Sequence, residues 1–141
     1  MRFTFWQKWL WVVAVLVSLF GLTMALFSGT LLFGLFNRQI DPTFWHTNLP
    51  GIEAQEFQKW IYGVWGATIA GWGIFFAFIA RYAFDKKEKW IWNCLAAGLL
   101  VWFVLDTGIS LNYRVYFNVV FNTFLLVAAG LPIVFTRKYF V

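Results

Sequence analysis

The sequence predicts an all-α protein, an antiparallel four-helix transmembrane bundle with a short interfacial helix on its outer face. Three observations carry that reading. Of 141 residues, 62% are hydrophobic and only 12% charged, far from the balance of a soluble domain. Apolar runs of about 20 residues or more, long enough to cross a bilayer as helices, recur near 9–36, 60–80, 90–111 and 115–135. Basic residues fall on alternate connections. With the N-terminus inside, eight lie on the inner face (Arg2, Lys8, Arg81, Lys86, Lys87, Lys89, Arg137 and Lys138) and three on the outer (Arg38, Lys59 and Arg114). That asymmetry places both termini in the cytoplasm of what reads as a prokaryotic inner membrane, and anionic lipid headgroups suffice as partners for the basic clusters, without nucleic acid. The chain reads as one domain, 1–141.

The first run is too long for a signal-peptide core of about 7 to 15 residues, so it is read as a retained helix. Ala14, Ser18, Gly21, Ala25 and Ser28 line one of its faces at spacings that follow the helical turn. In the second run Gly63, Ala67, Ala70 and Ala77, with Gly66, Gly71 and Gly73 beside them, give small-xxx-small pairs that suit close backbone approach. Trp65, Trp72, Phe75, Phe76 and Phe78 are then left mostly to lipid or to gaps around that contact.

Between these runs, Asp41 followed by Pro42 reads as an N-cap and first helical residue, opening an interfacial helix through Phe44, Trp45 and His46 that Leu49, Pro50 and Gly51 end. Glu53 and Glu56 suit the first turn of the second long helix. On the inner side, 81–89 is a polar loop. Tryptophans at run ends (Trp9, Trp11, Trp60, Trp90, Trp92) read as interfacial anchors. The strings KWLW and KWIW open runs one and three, and RYAF and RKYF close runs two and four, a pattern that either a duplicated hairpin or belt chemistry alone produces.

The most informative residue is Asp106, an acid inside an apolar run, which at membrane depth persists only with partners. The stretch from 90 to 135 is too long for one crossing, and a hairpin centred near Arg114 sets Asp106 level with Asn122 and Ser110 level with Asn118. Trp102, Asp106 and Ser110 form one stripe, Asn118, Asn122 and Ala129 another. An Asn amide satisfies a carboxyl in either protonation state. At 1.5 Å rise per residue the acid lies about 10 Å below the hairpin tip, within reach of a lid formed by Trp45 and His46, with Arg114 above as counter-charge. Two readings of the cluster stand open: interhelical glue that fixes register, and a small outward-facing pocket binding a polar headgroup, a quinone-like molecule or an ion.

Catalysis finds little support. One histidine, His46, excludes bis-histidine haem ligation, and a metal site or resident cofactor is not expected. One cysteine, Cys94, excludes an intramolecular disulfide and is assigned to packing. There is no Walker loop, nucleophile elbow or zinc-protease motif, and no catalytic residue is assigned. The strings GVWGATIAGWG, WFVLDTGIS and NVVFN with a later Pro132 resemble those of small uncharacterised prokaryotic four-helix integral membrane proteins, and the layout is similar to DoxX-like proteins in topology only. That resemblance implies architecture and no activity. The leading expectation is a non-enzymatic module binding a small amphipathic ligand or lipid at Asp106, Asn122, Ser110, Asn118, Trp102 and Arg114. The alternatives are an accessory subunit of a larger membrane complex and an oligomeric ion or proton-coupled transporter, the latter at least a homodimer.

Overall fold

Five helices follow one another in the computed structural model, which describes residues 3–47 and 50–140, the Leu32 side chain apart. They are α1 (Phe3–Phe27), α2 (Gly34–Phe44), α3 (Ile52–Phe78), α4 (Lys89–Asn112) and α5 (Tyr116–Thr136). Helix α3 runs on through a π turn (Ile79–Ala83) and a 3-10 turn (Phe84–Lys86), and α5 ends in a 3-10 turn (Arg137–Tyr139). Four of the helices, all but α2, are long and apolar enough to span a membrane, which makes this an integral membrane protein.

The backbone pairing is uneven. Helix α1 lies along α3 and also along α5, whereas α4 packs chiefly on α5. Both chain ends and the α3–α4 turn meet at one end of the bundle. There the Phe3 ring stacks on Phe84 at 5.4 Å and meets Tyr139 edge-on at 5.3 Å, with the Lys87 ammonium 5.0 Å from its centroid. Beneath these rings Leu10, Ala80, Phe84, Ile91, Leu95, Ala129 and Ile133 form the main core. At the opposite, distal end, Met24, Phe33 and Tyr62 pack together beside Phe20, Phe36 and Ile40, so α2 closes over α1 and α3.

The α1–α3 seam is backbone on backbone, as the small residues imply, but its phase on α3 differs from the sequence reading. Gly66, Ala70 and Gly73 are buried, whereas Ala67 is exposed and Gly63 only partly covered. A Cβ on Gly66 would lie 2.7 Å from the Gly21 carbonyl, and one on Gly73 2.6 Å from the Ser18 amide nitrogen. The closest approaches fall where one partner is a glycine, with no methyl group in the way, so Gly66 and Gly73 join Ala70 in the seam while Ala67 is left outside. Trp65, Trp72, Phe75 and Phe78 are exposed to the surrounding medium, while Phe76 joins the core.

The first apolar run ends earlier than its hydropathy suggests. Ser28, Gly29 and Thr30 turn the chain, with the Thr30 amide and hydroxyl both donating to the Phe27 carbonyl at 3.0 and 2.8 Å. Such local side-chain bonds offer the backbone an alternative to continued helix. Residues 34–36 therefore belong to α2. Asp41 and Pro42 sit within the last turn of α2 and do not start it. The missing Pro42 amide deprives only the Arg38 carbonyl, at an exposed position, so the helix tolerates it. Leu49 lies outside the described residues. Glu53 does occupy the first turn of α3. Cys94 is exposed and lies outside the buried core.

Two tryptophans do more than anchor. Pro132 inside α5 removes the donor that the Ala128 carbonyl would take in a regular helix, and the Trp9 indole donates to that carbonyl at 2.9 Å. Near the end of α5 the Trp92 indole donates to the Ile133 carbonyl at 2.7 Å. Likewise the buried Gln7 amide reaches from α1 to the Ala80 carbonyl at the π turn, at 3.1 Å. In an apolar medium these freed carbonyls have no water to turn to. Trp9→Phe is expected to cost about 1–3 kcal/mol, the penalty of an acceptor left unsatisfied where acyl chains replace water. Pro132→Ala, which restores the helical donor, should make the loss at Trp9 smaller, and equilibrium unfolding in mixed micelles across the double-mutant cycle checks it. Additive costs would show that the indole merely packs.

Candidate functional site

The α4–α5 hairpin turns at Tyr113 and Arg114, the latter in the left-handed region with φ 60°. The Val115 amide donates back to the Ser110 carbonyl at 2.8 Å, locking the turn. This centring puts residues 106 and 122, and 110 and 118, at matching heights. Both expected cross-pairs form. Asn122 Nδ2 donates to Asp106 Oδ1 at 2.8 Å, and Asn118 Nδ2 donates to Ser110 Oγ at 2.8 Å.

A diagonal bond joins the two pairs: Asn118 Nδ2 also donates to Asp106 Oδ1, at 2.6 Å. Ser110 Oγ donates mainly to the Asp106 backbone carbonyl at 2.7 Å and lies 3.4 Å from Oδ1. One residue escaped the sequence reading. Thr107 is buried, and its Oγ1 accepts from Asn122 Nδ2 at 3.3 Å. The signal for it was available, because an amide carries two N–H donors and Asp106 takes only one from Asn122.

Burial grades across the cluster. Asn122 is 2% exposed and Ser110 7%, whereas Asp106 itself is half-buried. The protein thus spends its donors on one carboxylate oxygen, Oδ1, and among the described residues none donates to Oδ2. Nor does a cation: the ion pair among the described residues is Lys59 with Glu56. Arg114 is exposed at the hairpin tip and joins none of these bonds. Trp102, one turn from Asp106, is half-buried and contacts the Phe103 ring.

The aromatic cover over this end comes from neighbouring residues of α2. Phe36 meets Phe117 edge-on at 5.1 Å, and Phe44 lies 5.7 Å from Tyr113; Phe44, Trp45 and His46 are all exposed. Helix α2 extends to Phe44, so its own turns carry the contacting rings. His46 follows in the left-handed region, φ 54°, where the chain leaves the helix.

What the cluster can do chemically is limited and clear. It holds a half-buried carboxyl group steady by neutral donors on one oxygen, on a helix whose neighbouring residues Leu105 and Ile109 are exposed. Proton transfer would need a second titratable partner, and none is bonded to it among the described residues. Two shallow clefts, of about 160 and 280 Å³, lie at the termini end beside Arg81 and Lys86. Among the described residues no group of three His, Cys, Asp or Glu side chains comes together. No protein-family model, curated protein or solved structure matches the chain.

Proposed function

We propose that the chain is a non-enzymatic membrane protein that binds a small amphipathic ligand or lipid, with its headgroup at Asp106 in the α4–α5 seam. In this reading both termini are cytoplasmic and the site opens to the outer leaflet of a prokaryotic cytoplasmic membrane. The observation that carries it is the half-used carboxylate. Three polar side chains surround Asp106 Oδ1, Oδ2 receives no donor among the described residues, and no cation answers the charge. A headgroup that donates hydrogen bonds or carries positive charge completes the shell, and acyl chains lie along exposed Val101, Val104, Leu105 and Ile109. Such a ligand enters sideways from the bilayer, so the seam needs no deep cavity.

Native mass spectrometry of protein extracted in mild detergent tests this. Asp106→Leu is expected to yield folded protein from which the co-purifying amphiphile is lost, while Trp45→Ala retains it. Equal retention by Asp106→Leu and the parent protein would remove the site. An accessory subunit is the second reading, favoured by the sparse partnering of α4, whose outward face carries Leu100, Val101, Val104 and Leu105 without a neighbour helix along it. A stable partner retained at native expression would support it.

A further inference from the structure

The distal end of the bundle holds a second buried acid, one that the Asp106 site does not use. Asp41 is 4% exposed, Gln58 6% and Tyr62 5%. Asn37 and Asp41 are one turn apart on α2, and Gln58 and Tyr62 one turn apart on α3, so each pair shares a helical face. The two faces meet, because Gln58 Nε2 donates to Asp41 Oδ1 at 2.5 Å. The Phe33 ring, 6.3 Å from that of Tyr62, closes the side.

Two polar atoms here are buried without a partner: the Tyr62 hydroxyl and Asn37 Oδ1. Leaving one such group unsatisfied costs about 1–3 kcal/mol, and two on the faces that hold a buried carboxylate demand an occupant. The neighbouring cations do not serve. Arg38 is exposed, and Lys59 is bound to Glu56 at 2.6 Å.

The two acidic clusters differ in kind. Around Asp106 the chain supplies donors, whereas around Asp41 one amide donor faces a surplus of oxygens: the carboxylate, the Asn37 carbonyl and the Tyr62 hydroxyl. An all-oxygen set suits a hard cation and not a transition metal. With a single carboxylate, a monovalent ion leaves the site neutral, while a divalent one would strand a net positive charge in a buried place. We propose that Asn37, Asp41 and Tyr62, with Gln58 holding the carboxylate in place, form a binding site for a desolvated monovalent alkali cation of sodium size, clamped between α2 and α3. The ion would tie α2 down onto α3, the helix whose glycines hold the seam with α1.

The test uses the full chain in detergent, with NaCl exchanged for choline chloride at constant ionic strength. Thermal unfolding should shift upward with Na⁺ and saturate, and radiolabelled Na⁺ should bind stoichiometrically. Tyr62→Phe keeps the ring and removes one oxygen, so it is expected to weaken the apparent Na⁺ affinity about tenfold. Asp41→Asn should abolish the dependence. If Asp41→Asn does not fold, Tyr62→Phe decides alone. A melting temperature indifferent to Na⁺ against choline, or a Tyr62→Phe protein with unchanged Na⁺ affinity, overturns the proposal and leaves an ordered water as the occupant.

Discussion

Gly66→Leu is expected to be the most damaging single substitution in the chain, abolishing recovery of folded protein or lowering its stability by more than the usual 1–3 kcal/mol of overpacking. The reason is what the new side chain would meet. A Cβ at 66 falls against the Ala25 amide nitrogen, 2.7 Å from the Gly21 carbonyl and 2.9 Å from the Ala25 Cα. These are backbone atoms, so no rotamer change makes room and α1 and α3 must part along their whole seam. The contact is reciprocal, since a Cβ on Gly21 would lie 2.7 Å from the Gly66 carbonyl and 2.8 Å from the Ala70 Cα. In a bilayer, helix association rests on such close packing, because lipid tails are as apolar as the side chains they replace. Gly71→Leu provides the comparison, as its Cβ would meet nothing within 4 Å. Unfolding by a denaturing detergent should separate the two variants widely. A Gly66→Leu protein as stable as Gly71→Leu would mean that the helices do not touch there.

Where a pattern in the sequence has one physical cause, the structure follows it; where two causes share a pattern, it does not. The hairpin at Arg114 was legible because a run of 46 apolar-rich residues from 90 to 135 cannot cross once, and equal spacing about the turn then fixed Asp106 with Asn122 and Ser110 with Asn118. The α1–α3 seam was legible as a class but not in phase, since glycine and alanine score alike as small residues until a backbone arrives at contact distance. Asp41 before Pro42 is a sound cap signal on local grounds. It fails because α2 has already begun at Gly34, and Asp41 is drawn inward to Gln58, a residue seventeen positions on that no local rule connects to it. Trp9 sits where belt chemistry expects a tryptophan, so its bond to the Ala128 carbonyl was hidden behind an adequate simpler explanation. Only the pairing of α1 with α5 makes Pro132 its cause.

The Asp106 cluster should respond asymmetrically to the removal of its members. Asp106→Leu leaves two neutral amides that keep other acceptors, Asn122 at Thr107 and Asn118 at Ser110, so a loss of about 1–2 kcal/mol is expected. The double replacement Asn118→Leu with Asn122→Leu removes both amide donors and leaves a carboxylate facing leucines in an apolar seam. Stranding a fully buried charge costs about 3–5 kcal/mol; Asp106 is half-buried, so the cost stays below that but above the loss of one neutral hydrogen bond, and the double variant should unfold more readily than the single one. Adding Asp106→Leu to the double variant should then raise stability again, although a third polar side chain has been lost, because the charge that needed the amides is gone. This recovery separates the two roles of the cluster. Were the four polar residues only glue, each deletion would subtract a hydrogen bond worth about 0.6 kcal/mol and the triple variant would be the weakest. If instead the triple variant regains stability but retains no amphiphile, the amides are there to keep a carboxylate at membrane depth, and the carboxylate is kept for what it binds.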